Sequence, residues 1–164
     1  DANETLAAWK LAIESKNTPT VIILTRQNVN NLAKTSYEGL LKGAYVVSEE
    51  KDNLDAILLA SGSEVDLAYQ AQQVLFEQGK SVRVVSMPSH YLFEKQTKKY
   101  QKELLPGRVK IIAIEMGSSL SWYKYTNNVY GLDTFGVSAP LEKALEHFNF
   151  TNEKLVEYIS KILA

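Results

Sequence analysis

The arginine at position 26 directly follows an apolar run, Thr20-Val-Ile-Ile-Leu24, with only Thr25 between. A guanidinium at the end of a buried-type strand needs an anionic partner or open solvent. There it can offer a planar, bidentate donor to a phosphate or carboxylate, and an ordinary salt bridge would satisfy it equally well. A second candidate is the loop Ser61-Gly-Ser-Glu64, between the apolar run Ala56–Ala60 and a helical pattern. Open α/β sheets hold ligands at such strand ends, and backbone N–H groups there can cradle a phosphate. One glycine stands where the dinucleotide pattern G-x-G-x-x-G wants three. Glu64 and Asp66 also place two carboxylates in the first helical turn, where they would repel an anion. Helix capping is therefore the stronger reading of this loop.

His90 and His147 are the only histidines, and there is no cysteine. A metal site wants three or four ligands, and neither His-x-x-x-His nor a cysteine pair exists, so no metal-ligating residue is assigned. His90 beside Ser89 allows a Ser–His nucleophile pair. Without a G-x-S-x-G elbow, packing at a helix start explains it better. Glu115 ends the apolar run Val109–Ile114; alone, it suits a structural hydrogen bond better than acid–base work. The aromatic stretch Trp122–Tyr125 could stack a ring, but a core or subunit-contact role asks less of it.

The elements that must position these residues centre on Ala56–Met87. A strand at Ala56–Ala60, a helix to Gly79 and a strand at Val82–Ser86 make a βαβ unit, whose strands must be parallel. Ser63 with Asp66 resembles a capping box; Leu67, Ala68, Ala71, Val74 and Leu75 share the helix's apolar face, and Gly79 ends it. Upstream, Leu6, Trp9 and Ile13 predict one apolar face of a helix over Asn3–Ser15, with a buried strand following at Thr20–Leu24. The region Asn28–Asn53 is loop-like, with one helical turn at Tyr37–Leu41 and a strand near Tyr45–Val47. The short turn Ser48–Asn53 predicts that this strand returns antiparallel beside Ala56–Ala60. Downstream, Ser89 and Thr97 cap short helices, Val109–Ile114 is a buried strand and Asn128–Leu132 a last one. A helix runs from Pro140 to about His147, and Thr151 caps the final helix. The fold class is α/β: a three-layer, doubly wound sheet of about five strands, mostly parallel with one antiparallel edge strand.

Composition narrows the function. The chain has 164 residues, a net charge of −1 and no basic block, so no nucleic-acid partner is expected. Its apolar runs fall far short of the roughly 20 residues of a membrane span, so no membrane partner is expected either. Lacking cysteine, it has no disulfide, zinc thiolate or cysteine nucleophile, which fits the cytoplasm. The acidic start Asp1-Ala-Asn-Glu4 is no signal peptide, and the missing initiator Met suggests a piece of a longer protein.

An ordered series of motifs resembles the C-terminal part of transketolase over nearly the whole chain. The series begins with Asp1-Ala-Asn-Glu-Thr5, Ala8-Trp9-Lys10, Arg26-Gln-Asn28 and Gly43-Ala-Tyr45. It continues through Ser61-Gly-Ser-Glu-Val65, Val84-Val-Ser-Met-Pro-Ser89, Leu92-Phe93 and Leu105-Pro106. Glu115 with Gly117-Ser118 and Trp122, Asp133 with Phe135-Gly136, and Ser138-Ala-Pro140 complete it. Thr25, His90, Met116 and Thr134 depart from the family's usual serine, tryptophan, alanine and arginine.

The resemblance implies a homodimeric enzyme that uses thiamine diphosphate and a divalent metal, magnesium or calcium. It would transfer a two-carbon ketol unit between sugar phosphates, in the pentose phosphate pathway. It makes residues 1–28 the tail of the pyrimidine-binding domain, 29–42 a linker and 43–164 the C-terminal domain. Because the family's arginine in Arg-Gln-Asn contacts the substrate phosphate, Arg26 is the expected substrate-binding residue. No catalytic, cofactor-binding or metal residue carries over, so the chain alone is expected to bind no cofactor and to be inactive. Two alternatives remain: the related domain of a 2-oxo-acid dehydrogenase beta subunit or deoxyxylulose-phosphate synthase, or a stand-alone small-molecule binding module.

Overall fold

The computed structural model describes residues 1–164. Five strands form one sheet: β1 (Tyr45–Ser48), β2 (Ala56–Ala60), β3 (Val82–Ser86), β4 (Lys110–Ile114) and β5 (Asn128–Tyr130), in the order β1-β3-β2-β4-β5. β2 pairs in parallel with β3 and β4, β4 in parallel with β5, and β1 antiparallel with β3. The mostly parallel sheet with one antiparallel edge is thus as expected. β2 is central, and every one of its residues is shielded from water.

Strand alternation divides the core in two. Leu58 faces helices α3 (Glu64–Glu77) and α7 (Asn152–Leu163), against Ala68, Leu75, Leu155 and Ile159. Ile57 and Leu59 face the other way, toward Phe93 of α4 (His90–Glu94), Leu104 of α5 (Lys98–Leu104) and Trp122. Trp122 lies in a 3₁₀ helix over Ser119–Lys124. The remaining helices are α1 (Ala2–Glu14), α2 (Tyr37–Leu41) and α6 (Leu141–His147). Asp1, Ser36, Ser89, Thr97 and Thr151 each accept an N–H bond at a helix start, as their types favour. No helix is long and apolar enough to cross a membrane.

Three expectations need correcting. β1 lies beside β3, not β2, because both edges of β2 are already taken. The chain after β1 is long enough to step over the start of β3. There Ser81 Oγ accepts from the N–H groups of Lys51 and Asp52, and Asp55 accepts from Ser81 N–H. Arg83 grips Glu50 through two nitrogens. Gln72, wholly buried, completes the crossing: its amide donates to the carbonyls of Glu49 and Val82 and accepts from Ser48.

The capping box at Ser63 does not form, since Ser63 is itself helical in backbone and its hydroxyl donates to Glu64. On α1 the buried face carries Glu4 and Ala7, whereas Leu6, Trp9 and Ile13 are exposed. Thr20–Leu24 is no strand. Residues 16–31 make no backbone–backbone hydrogen bonds, and Val21 and Ile23 are 85% and 92% exposed. A strand exists only through a partner, and all five strands of the sheet pair among themselves.

Candidate functional site

The chemistry-bearing residues gather at the carboxyl end of the sheet. From β2 the chain turns toward β3, whereas from β4 it turns to β5 on the opposite side. Between them lies the crevice where doubly wound sheets bind ligands. Here a side chain fills it. Glu64 is buried, and its carboxylate accepts from the N–H of Met116 at 2.6 Å and the hydroxyl of Ser63 at 2.7 Å. The negative charge at this helix start is internal, and a phosphate would have to displace it.

Glu115 stands across the crevice and accepts from Trp122 Nε1 at 2.9 Å, the structural bond expected of it. Burial raises its pKa and the charge of Glu64 adds to this, while the bond from Trp122 opposes both. A carboxyl whose folded pKa is raised stabilises the fold below its ordinary pKa, and that contribution is lost as pH rises through the folded value. Glu115→Gln keeps a carbonyl acceptor for Trp122 without the charge. It should raise Tm by roughly 1–3 °C near pH 7, solvent screening included, and change it little near pH 4. Thermal scans at both pH values check this; an equal shift at both would sink the assignment.

His90 packs edge-on against Trp122 and Tyr125, with ring centroids 4.9 and 5.0 Å away. Burial lowers its pKa. The Ser89 hydroxyl accepts from Leu92 N–H, and no hydrogen bond joins Ser89 to His90, so the nucleophile pair is not assembled. Trp122 is a core residue, and His147 only abuts Phe148. No three His, Cys, Asp or Glu side chains are grouped to hold a metal ion. A cleft of about 600 Å³ opens beside residues 33–39, β1 and α5. Lys34, Lys42 and Arg83 line it together with Glu38 and Glu103, so its charges largely cancel.

Arg26 is exposed and makes no hydrogen bond or ion pair. The salt bridge that would have explained it blandly is not formed within this chain. Its surroundings are anchored close by. Asn30 donates to Asp66 at 2.9 Å, and Val29 and Asn30 line a gap of about 10 Å³ together with Asp1, Glu4, Gly62 and Asp66. Arg26 precedes Val29 by three positions, so its Cα lies within about 10 Å of that point. The guanidinium is thus free, and tethered near the carboxyl end of the sheet.

Sequence reading missed a polar cluster between α1 and the sheet. Glu4 accepts from Tyr45 Oη at 2.6 Å and Ser86 Oγ at 2.7 Å, with all three residues buried. The only signal available was a glutamate on the helix face opposite the apolar stripe.

The model of the transketolase-like C-terminal domain family matches residues 43–151. The chain belongs to the transketolase family. It is 48% identical to the probable transketolase of Streptococcus pneumoniae serotype 4 over 166 residues, covering 99% of this chain and 25% of that protein. The Bacillus subtilis transketolase is also 48% identical, over 171 residues, with 99% of this chain and 26% of that protein covered. A crystal structure of Pichia stipitis transketolase in complex with sedoheptulose 7-phosphate superposes with a TM-score of 0.94 at 41% identity. It covers 99% of this chain and 24% of that one.

The chain therefore spans about a quarter of the length of these transketolases, which are transferases, and corresponds to their C-terminal part. The family match runs from Gly43 to Thr151, while α1 and Arg26 lie within the longer alignments only. These matches favour transketolase over a 2-oxo-acid dehydrogenase beta subunit or deoxyxylulose-phosphate synthase.

Proposed function

We propose that this chain serves as the C-terminal quarter of a cytoplasmic, homodimeric transketolase. That enzyme moves a two-carbon ketol unit between sugar phosphates. Residues 1–28 belong with the pyrimidine-binding domain, 29–42 are the linker and 43–164 the C-terminal domain. Arg26 contributes a positive, bidentate contact to the substrate phosphate. The observation that carries this reading is Arg26 itself: an exposed guanidinium without a carboxylate, tethered beside the sheet's carboxyl end. The solved relative in complex with a sugar phosphate supports the substrate class.

The intact enzyme uses thiamine diphosphate and magnesium or calcium, which supply the carbanion chemistry. The residues of this chain do not fit that cofactor. The helix start that could hold a diphosphate is filled by Glu64, and no carboxylate group is clustered for the metal. What the chain contributes is binding and packing. Supplied with thiamine diphosphate and magnesium, the isolated chain is expected to transfer no ketol units between sugar phosphates. The same chain joined to its upstream residues is expected to be active. Turnover by the isolated chain would overturn this division of labour.

A further inference from the structure

Glu4 is the one buried carboxylate that joins α1 to the sheet. Tyr45 and Ser86 are cross-strand partners in the β1–β3 pair, and both hydroxyls converge on a single oxygen of Glu4. Burial and the charge of Glu4 raise the pKa of Tyr45, so its hydroxyl stays a donor. One turn earlier Asp1 does the same for the segment 29–35. One of its oxygens caps Glu4 N–H at 2.9 Å, and the other accepts from Leu32 N–H at 3.0 Å and Thr35 Oγ1 at 2.6 Å. The remaining gap among Asp1, Glu4, Val29 and Asn30, about 10 Å³, has room for little more than one water.

A buried charge is a poor way to gain stability and a good way to fix an orientation. Simple packing of α1 would need only apolar side chains on its buried face, yet that face carries a carboxylate. The polar chain runs from Ser86 and Tyr45 through Glu4 and Asp1 to Leu32 and Thr35. From that anchored segment the backbone reaches Arg26, three residues before Val29.

We infer that Glu4 is a positioning residue for Arg26: by clasping Tyr45 and Ser86 it sets where the segment 26–35 presents the guanidinium to the substrate phosphate. The inference rests on the reading of Arg26 as the phosphate ligand.

The test compares Glu4→Gln, Tyr45→Phe and Arg26→Ala in the full-length enzyme, each alone and each clasp variant combined with Arg26→Ala. Each is assayed with a phosphorylated sugar acceptor and with its unphosphorylated counterpart. Glu4→Gln should raise KM for the phosphorylated acceptor roughly three- to tenfold, less than the hundredfold that a misplacement of about 1 Å can cost at reacting groups. The unphosphorylated acceptor should keep its KM, kcat should hold for both, and the effect should vanish when Arg26 is already alanine. Tyr45→Phe, which leaves the charge and the Ser86 bond in place, should show a smaller shift of the same kind and covers the case in which Glu4→Gln fails to fold. An equal rise in KM for both acceptors, or a clasp effect that adds fully to that of Arg26→Ala, would overturn the inference. If Arg26→Ala distinguishes the acceptors and neither clasp variant does, the inference alone fails. If Arg26→Ala distinguishes nothing, the phosphate reading fails and takes the inference with it.

Discussion

Replacing Arg26 with alanine in the full-length enzyme is expected to raise the KM for phosphorylated substrates by roughly 10- to 150-fold. A hydrogen bond to a charged group contributes about 1.5–3 kcal/mol, and each 1.4 kcal/mol is tenfold. The lower half of the range applies if solvent reaches the bound phosphate as freely as it reaches Arg26 here. A contact made to the phosphate alone would bind ground state and transition state alike, so kcat should change little. Arg26→Lys keeps the charge and loses the planar fork, so it should fall between wild type and alanine. Steady-state kinetics with matched phosphorylated and unphosphorylated sugars decide the matter. An unchanged KM for the phosphorylated sugar would remove Arg26 from the substrate site.

The second large effect is structural. Gly43 has φ +78°, and a Cβ added to it would lie 2.2 Å from Phe93 N, 2.4 Å from Ser89 O and 2.7 Å from Leu92 C. These are all backbone atoms of α4 and its N-cap, which cannot rotate aside as a side chain would. The same place is tied by Ser89 N–H donating to Gly43 O at 3.1 Å. Gly43→Ala must therefore push α4 away from the start of β1, and α4 carries Phe93 into the core beside Ile57 and Leu59. A loss of more than about 4 kcal/mol is expected, a large share of the roughly 5–15 kcal/mol typical of a domain. Gly79 is the control. Its φ is similar, +73°, but nothing lies within 4 Å of an added Cβ. Gly79→Ala should cost only about 1–2 kcal/mol, the price of a left-handed residue bearing a side chain. Urea unfolding of both variants checks the contrast, and comparable midpoints would refute the steric account.

What was legible in the chain depended on whether its partners lay nearby in sequence. The βαβ unit from Ala56 to Ser86 was readable because strand, helix and strand carry their own periodicities and need only each other to be recognised. The caps at Ser89, Thr97 and Thr151 depend on bonds to residues three positions on, so composition was enough. At Ser63 the same logic failed, because Glu64 competes for the hydroxyl while accepting from Met116, a residue far along the chain.

The neighbour of β1 was hidden for a related reason. Turn length limits which strands are reachable, but Gln72, Ser81 and Arg83 decide which is chosen, and all three act across long sequence separations. The apolar stripe of α1 was legible, but a stripe says that something covers it without saying what. Within this chain the cover falls on Glu4 and Ala7 instead. Arg26 was legible as chemistry and ambiguous as role. The fold forms no ion pair to it within this chain, and its part in phosphate binding is the proposal made above.

Val21, Ile23 and Leu24 lie open to solvent on backbone that bonds to no other backbone. Order in this segment is thus a matter of mass action as well as of sequence. A surface that supplies a strand to Thr20–Leu24 would add RT ln(1 + [L]/Kd) to its stability, about 2.7 kcal/mol when present at a hundred times its dissociation constant. With that surface covalently attached, the relevant concentration becomes an effective one, set by the connecting chain and reaching millimolar for short links. The order of the segment leading to Arg26 then depends on which surface is at hand, and at what effective concentration.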